Sequence, residues 1–158
     1  MIDGIDREIL TIIQGDARIS NAEVARRVGL APSATLERTR KLEAQGYITG
    51  YEARLNAAKL GARLLAFIYV RSNEGPGSPD TSRFLSTLPE VQEIHHIAGE
   101  DCFLVKVRVA DTQALARLLR ERLGSHESIQ STRTTIVLET VKEHGWLPLE
   151  TLWEHEDE

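Results

Sequence analysis

Ser33, Ala34, Glu37, Arg38, Arg40 and Lys41 bring a hydroxyl, a small apolar group, a carboxylate, two guanidiniums and an ammonium into one short stretch of the chain. On a helix, offsets of three and four place Ala34, Glu37, Arg38 and Lys41 in one stripe, with Ser33 near the N-terminus and Arg40 at the edge. Such a stripe suits the major groove of double-stranded DNA. Guanidinium meets guanine edges or phosphate, and hydroxyl and ammonium meet phosphate. Glu37 runs against this, because a carboxylate at the groove repels phosphate. It can accept from cytosine N4, but the spacing favours a local pair with Arg40 or Lys41. An isolated basic triplet is ordinarily only a solvated face, so the weight rests on the elements that would hold it.

Those elements are well marked. Ser20 and Glu23 have the spacing of a reciprocal capping box at the start of a helix whose apolar side is Ala22, Val24, Ala25 and Val28. Gly29 can end that helix with a positive φ, and Leu30 turns back onto the apolar side. A second helix begins near Pro32 and stops at Gly46, with Thr35, Thr39 and Leu42 facing inward and Tyr47 placed to close the end on Leu42. An earlier helix, from about Asp3 to Gln14, contributes Ile5, Ile9, Leu10, Ile12 and Ile13 to a three-helix core. Cap, glycine turn, proline start and glycine stop in this order and at this spacing describe a helix-turn-helix. Tyr47 to Leu55 then reads as a strand or small ribbon, and residues 56–63, with Gly61, as a linker.

Beyond it the pattern changes. Leu64 to Arg71, Val91 to Ala98, Cys102 to Val109 and Gln130 to Lys142 read as strands, and Thr81 to Leu88 and Thr112 to Leu123 as helices, the latter capped by Asp111. Phe103, Val105, Val107 and Val109 alternate with Leu104, Lys106 and Arg108, the mark of a sheet with one apolar face. Strand-helix-strand-strand-helix-strand is the ferredoxin-like order. The expected fold class is therefore α+β: a winged helix-turn-helix domain over residues 1–55, a linker over 56–63, and a ferredoxin-like βαββαβ domain over 64–142. An acidic, tryptophan-bearing extension follows over 143–158. Pro148 opens a short helix there with Leu149, Leu152 and Trp153 on one side, expected to dock on the second domain or a neighbouring subunit with its tryptophans as core anchors.

A four-stranded sheet covered by helices on one face leaves the other open, and pairing of two such sheets is the simple remedy. A homodimer also sets two reading helices about one DNA turn, ~34 Å, apart, which matches a loose inverted repeat. Between two paired strands, Gly99 permits close approach, and Glu100 and Asp101 can receive an ammonium group; the bland alternative is a solvated hairpin turn.

Charge is distributed to match. The 158 residues are 41% hydrophobic with a formal charge of −5. Through residue 60 there are nine basic and eight acidic residues, and beyond it ten and sixteen. The segment from Arg18 to Arg54 holds seven basic and four acidic residues, so the positive potential sits over the proposed reading head. A single cysteine, Cys102, excludes an intrachain disulfide framework and suits a reducing cytoplasm. The longest apolar run, Leu64 to Val70, is too short to span a bilayer. These features lead us to expect a cytoplasmic, nucleoid-associated protein with no membrane partner.

The chain resembles the leucine-responsive regulatory protein (Lrp/AsnC, feast-or-famine) family of transcription regulators. The likeness covers nearly its whole length: IDREIL (Ile5 to Leu10), RISNAEVARRVGL (Arg18 to Leu30), RKLEAQGYITGY (Arg40 to Tyr51), IHHIAGEDCFLVKVRV (Ile94 to Val109) and TRTTIVLETVK (Thr132 to Lys142). The resemblance implies a RAM/ACT-like second domain, dimers assembled into octamers, and an amino acid or related metabolite bound near the turn, between neighbouring dimers. Carried over by position, Gly99, Glu100, Asp101 and Cys102 form the effector site, with Thr132 and Thr134 as weaker candidates. Two positions depart from the family pattern. Ala31 stands where a serine usually caps the reading helix, and Cys102 stands where many members have a second acidic residue.

Other chemistries find little support. His95 and His96 are adjacent on a strand and point to opposite faces, so they cannot chelate one metal. No phosphate-binding glycine loop, nucleophile elbow or paired-carboxylate pattern occurs. The expectation is no metal, no cofactor and no catalysis. The competing readings are an effector-independent architectural DNA-binding protein and a metabolite-binding ferredoxin-like protein.

Overall fold

The computed structural model describes residues 2–74, 79–99 and 102–154. The chain divides into two units. One comprises the residues up to Arg54 together with the segment from Glu143 onward; the other runs from Leu55 to Lys142.

The first unit opens with three helices, α1 (Gly4–Gly15), α2 (Asn21–Val28) and α3 (Pro32–Ala44). The reciprocal capping box sits on α1, where Asp3 Oδ1 accepts from the Asp6 amide at 2.9 Å and Asp6 Oδ2 accepts from the Asp3 amide at 3.3 Å. At α2 only half of the expected box forms. Ser20 Oγ accepts from the Glu23 amide at 3.2 Å, but the Glu23 carboxylate is taken by Arg26 and Arg27, which offer it charged donors instead of a backbone amide. Gly29 takes the left-handed conformation (φ 69°), and the Leu30 amide returns to the Ala25 carbonyl at 3.0 Å.

Ala31 gives α3 no side-chain cap, yet Asn21 Nδ2 donates to the Pro32 carbonyl at 2.8 Å and ties the starts of the two helices together. Thr35 is fully buried. Its hydroxyl and that of Thr39 donate to the carbonyls one turn back, Ala31 and Thr35, so the core accepts them without an orphaned donor. Gly46 (φ 77°) ends the helix region, and the Tyr47 amide bonds the Leu42 carbonyl at 3.0 Å. Ile9, Val24 and Leu42 form the centre of the core, with Ile5, Leu10, Ile12, Ile13, Ile19, Val28 and Ile48 around them.

The strand expected over Tyr47 to Leu55 does not form. Residues 48–56 run without regular structure, and none of residues 49–55 shares a backbone–backbone hydrogen bond with another described residue. A strand needs a ladder partner, and among the described residues none pairs with this segment.

The second unit is a four-stranded antiparallel sheet in the order β2-β3-β1-β4, from β1 (Leu64–Ser72), β2 (Val91–His96), β3 (Phe103–Val109) and β4 (Ile129–Ile136). With α4 (Asp80–Ser86) and α5 (Thr112–Arg117) it makes the ferredoxin-like βαββαβ domain that the sequence pattern led us to expect. Register explains the two faces. Ala66, Ile68 and Val70 lie opposite Val107, Val105 and Phe103, and this row is buried beneath Leu85, Leu88, Leu115, Leu118 and Leu123. Phe67, Tyr69, Leu104 and Lys106 lie half-buried on the other face, where the Arg133 guanidinium sits 3.9 Å from the Tyr69 ring centre.

Two elements end differently from expectation. β4 stops at Ile136 rather than Lys142: Ile136 pairs with Ala66, the Val137 amide still bonds the Leu65 carbonyl at 2.9 Å, and β1 begins at Leu64, so the ladder has almost run out. The helix begun at Thr112, whose cap Asp111 accepts from the Ala114 amide at 2.8 Å, turns π-helical over Leu118–Leu123. Gly124 closes that turn on the Leu119 carbonyl at 2.8 Å. A β-carbon there would stand 3.0 Å from the same oxygen, so any larger residue would need the turn to give by a few tenths of an ångström.

The C-terminal segment carries α6 (Leu149–Glu154) and within the chain belongs with the first unit, not with the second domain, one of the two places expected for it. Gln14 grips it at both backbone groups, accepting from the Leu147 amide and donating to the Leu147 carbonyl, each at 2.9 Å. The Arg7 guanidinium lies 5.5 Å from the Trp153 ring centre. Within the chain Trp146 is exposed and Trp153 half-buried, so neither is sealed in the core of the first unit.

Candidate nucleic-acid interface and effector turn

With Thr35 and Leu42 sealed in the core, the outward arc of α3 is fixed by helical geometry. Ser33, Glu37, Arg40 and Lys41 are exposed on it and Ala34 is half-buried beside it. Two sequence expectations change here. Arg38 stands on the flank nearest the core, and its Nη1 donates to Asp3 Oδ2 at 2.7 Å and Asp6 Oδ1 at 2.8 Å. It is thus engaged with the capping carboxylates of α1. The second change is Glu37: among the described residues no ion pair joins it to Arg40 or Lys41. An exposed pair at that spacing is worth only about 0.2–0.5 kcal/mol, too little to order two long side chains.

The charges respond to their partners. The Asp6 amide, and then the Arg38 guanidinium, hold the Asp3 carboxyl below its ordinary range, while Asp6 and Asp3 push Arg38 up. Arg26 and then Arg27 bring Glu23 down to about 2. Arg26 and Arg27, exposed at the end of α2, are cations that the reading of α3 alone leaves out. Their only sequence signal is their place in the last turn of a helix, where any helix favours them.

In the second unit, Gly99 adopts φ 118°, a conformation that favours glycine. Glu100 and Asp101 lie outside the described residues. Cys102 is half-buried; its amide donates to the Val70 carbonyl and its carbonyl accepts from the Ile97 amide, both at 2.9 Å, and its Sγ lies 3.9 Å from the Ser72 carbonyl. The stems of the turn are therefore fixed by β1. Thr132 lies opposite Val70, which lies opposite Phe103, so Thr132 is two strands, roughly 10 Å, from the residue that follows Cys102. Thr134 sits one step further along the same face, opposite Ile68. Thr132 is exposed and Thr134 half-buried.

His95 and His96 point to opposite faces. His95 Nε2 lies 3.3 Å from Glu93, and the His96 ring stacks on Phe103 at 5.1 Å. Among the described residues no three His, Cys, Asp or Glu side chains gather as a metal site. None of the described helices is long and apolar enough to cross a membrane.

An exposed helix arc on a three-helix bundle, followed by a ferredoxin-like sheet, has a direct counterpart among family models. Residues 2–49 match a winged helix-turn-helix DNA-binding domain, and residues 65–147 match the Lrp/AsnC ligand binding domain. The chain belongs to the Lrp/AsnC family of transcription regulators. It is 44% identical over 154 residues to the leucine-responsive regulatory protein of Escherichia coli strain K12, covering 95% of this chain and 93% of that one. A transcriptional regulator of Neisseria meningitidis, solved as an L-methionine complex, superposes with a TM-score of 0.90 at 29% identity, covering 96% and 99% of the two chains. A feast or famine regulatory protein of Mycobacterium tuberculosis, complexed with L-methionine, gives 0.85 at 33% identity, covering 93% and 99%.

Proposed function

We propose that this Lrp/AsnC chain is a cytoplasmic, amino-acid-responsive regulator that reads double-stranded DNA as a homo-oligomer. The observation that carries the reading is the outward arc of α3, where Ser33, Glu37, Arg40 and Lys41 are exposed over a core sealed by Thr35 and Leu42. Residues 1–55 form the reading domain, 56–63 the linker, 64–142 the effector and assembly domain, and 143–158 an extension. Arg40 and Lys41 bind phosphate or guanine edges, Ser33 binds phosphate, and Ala34 lets the helix approach closely. Arg38 holds the helix in place through Asp3 and Asp6.

Two copies pair through the open sheet face that carries Phe67, Tyr69 and Leu104, and their reading helices meet a loose inverted repeat. Dimers associate further, into an octamer. An amino acid binds at Gly99, Glu100, Asp101 and Cys102, with Thr132 and Thr134 of β4 as weaker contributors, and changes how dimers meet and so the spacing of the reading heads. The L-methionine complexes of the Neisseria and Mycobacterium relatives support an amino-acid ligand.

Footprinting on the protein's own upstream region, with sedimentation in parallel, tests both halves across a panel of amino acids. The expected result is a discrete footprint whose extent or affinity changes with at least one of them. Equal affinity for random DNA would overturn sequence reading, and an unchanged footprint and assembly across the panel would overturn the sensing role.

A further inference from the structure

The reading helix starts without a cap of its own. Ala31 has no side-chain oxygen for the first amides of α3, and within the helix the front turn closes only through the Thr35 amide, which donates to the Ala31 carbonyl at 3.1 Å. A further fixture comes from the neighbouring helix. Asn21, the first residue of α2 after its cap Ser20, reaches across 11 positions of the chain and donates from Nδ2 to the Pro32 carbonyl at 2.8 Å. That carbonyl, already the acceptor for the amide one turn on, has a second lone pair for the purpose.

A cap and a tie from another helix have different consequences. A cap joins a helix to itself, so it stabilises the first turn and leaves the direction of the helix open. A hydrogen bond from a second element fixes the front of the helix against that element. In α3 the buried Thr35 and Leu42 decide which side faces inward, and Arg38 fastens the middle to Asp3 and Asp6. Asn21 fastens the front. Pro32 stands just before Ser33 and Ala34 and five residues before Glu37, roughly 7.5 Å along the axis. A shift of the front turn therefore displaces these three residues, while Arg40 and Lys41 follow Arg38 in the anchored half.

We infer that Asn21 is a positioning residue for DNA reading: its tie to Pro32, standing in for a cap at Ala31, sets the tilt of the front of α3 against α2 and so the placement of Ser33, Ala34 and Glu37 in the groove. Discrimination between sequences depends on that placement. The attraction of Arg40 and Lys41 to phosphate carries no sequence information and does not depend on it. The inference rests on the proposed DNA-reading role of α3 and adds a residue that acts through the Pro32 carbonyl.

The full chain, titrated by fluorescence anisotropy onto its footprinted upstream duplex and onto a random duplex of the same length, gives the ratio of the two affinities. Asn21→Ala should lower that ratio about fivefold or more, the equivalent of one misread base pair, with affinity for the random duplex unchanged. Asn21→Asp keeps the shape, removes the donor and suits the first turn of α2, and it should lower the ratio as well. The deciding variant is Ala31→Ser in the Asn21→Ala background. It gives α3 the cap it lacks, so the urea midpoint should rise while the ratio stays low. A ratio restored by that serine would mean that Asn21 serves only the stability of the first turn, and would overturn the inference. So would an unchanged ratio in Asn21→Ala when Arg40→Ala weakens binding to both duplexes. If Arg40→Ala and Lys41→Ala leave both affinities intact, the reading role of α3 itself fails and Asn21 falls with it.

Discussion

Replacing Arg40 by alanine removes a cation that the fold leaves on the outward arc of the reading helix, whereas replacing Arg38 removes one that the fold already uses. The two substitutions delete the same charge from different sides of one turn of α3 and should be told apart by salt. Each phosphate neutralised contributes about 0.9 to the slope of log K against log salt. A dimer presents two copies of each residue, so Arg40→Ala should flatten the slope by about 1.8, and Lys41→Ala should do the same. Arg38→Ala should leave the slope unchanged. Its guanidinium is 2.7 and 2.8 Å from Asp3 and Asp6, and losing it leaves two carboxylates facing each other at the start of α1. The expected cost is a lower urea midpoint for the reading unit. The assay is fluorescence anisotropy on an upstream-region duplex over a range of potassium chloride concentrations, with urea melts of each variant. A slope lost in Arg38→Ala but kept in Arg40→Ala would refute the assignment of roles.

Further outcomes follow from the packing and the charges. Leu42→Ala, at a position 1% exposed, should destabilise the three-helix core by about 2–5 kcal/mol in urea denaturation, with α3 no longer held for DNA. The folded-state values of Asp3 and Glu23 lie below their ordinary ones, so their stabilisation is complete above the unfolded values and is lost as pH falls through the folded ones. For Glu23 that window runs from its ordinary 4.5 down to about 2, and Glu23→Gln should flatten the acid limb of a pH-dependent melt there. Gln14→Ala removes both hydrogen bonds to Leu147, and limited proteolysis should then cut the segment from Glu143 onward faster than in the unmodified chain.

Much of this architecture was legible because its signals are local. Gly29, Pro32 and Gly46 punctuate the helices where their backbone geometry requires, and the inward set Thr35, Thr39 and Leu42 follows from periodicity alone. The alternation from Phe103 to Val109 announced the buried and open faces of the sheet in the same way. What escaped depends on residues far apart in the chain. Arg38 is joined to carboxylates 35 and 32 positions away, and no spacing rule reports that. The strand expected after Tyr47 had the right composition but no ladder to join, and the length of β4 was set by where β1 begins. The π turn was hidden because Thr112 to Leu123 keeps an apolar side compatible with an ordinary helix until Gly124 allows the tighter approach. At the effector turn, Gly99 declared its backbone but not what its neighbours hold.

The return of the chain's last segment to its first unit makes the sheet domain an insertion, spliced into the reading head through two covalent joints, after Arg54 and after Lys142. A fragment cut in the linker, the natural way to isolate the DNA-reading part, would therefore leave Gln14 and Arg7 without Leu147 and Trp153. An intact head needs Glu143 to Glu154 as well as the residues before Arg54, and a peptide spanning that segment supplied in trans is the piece that would restore it.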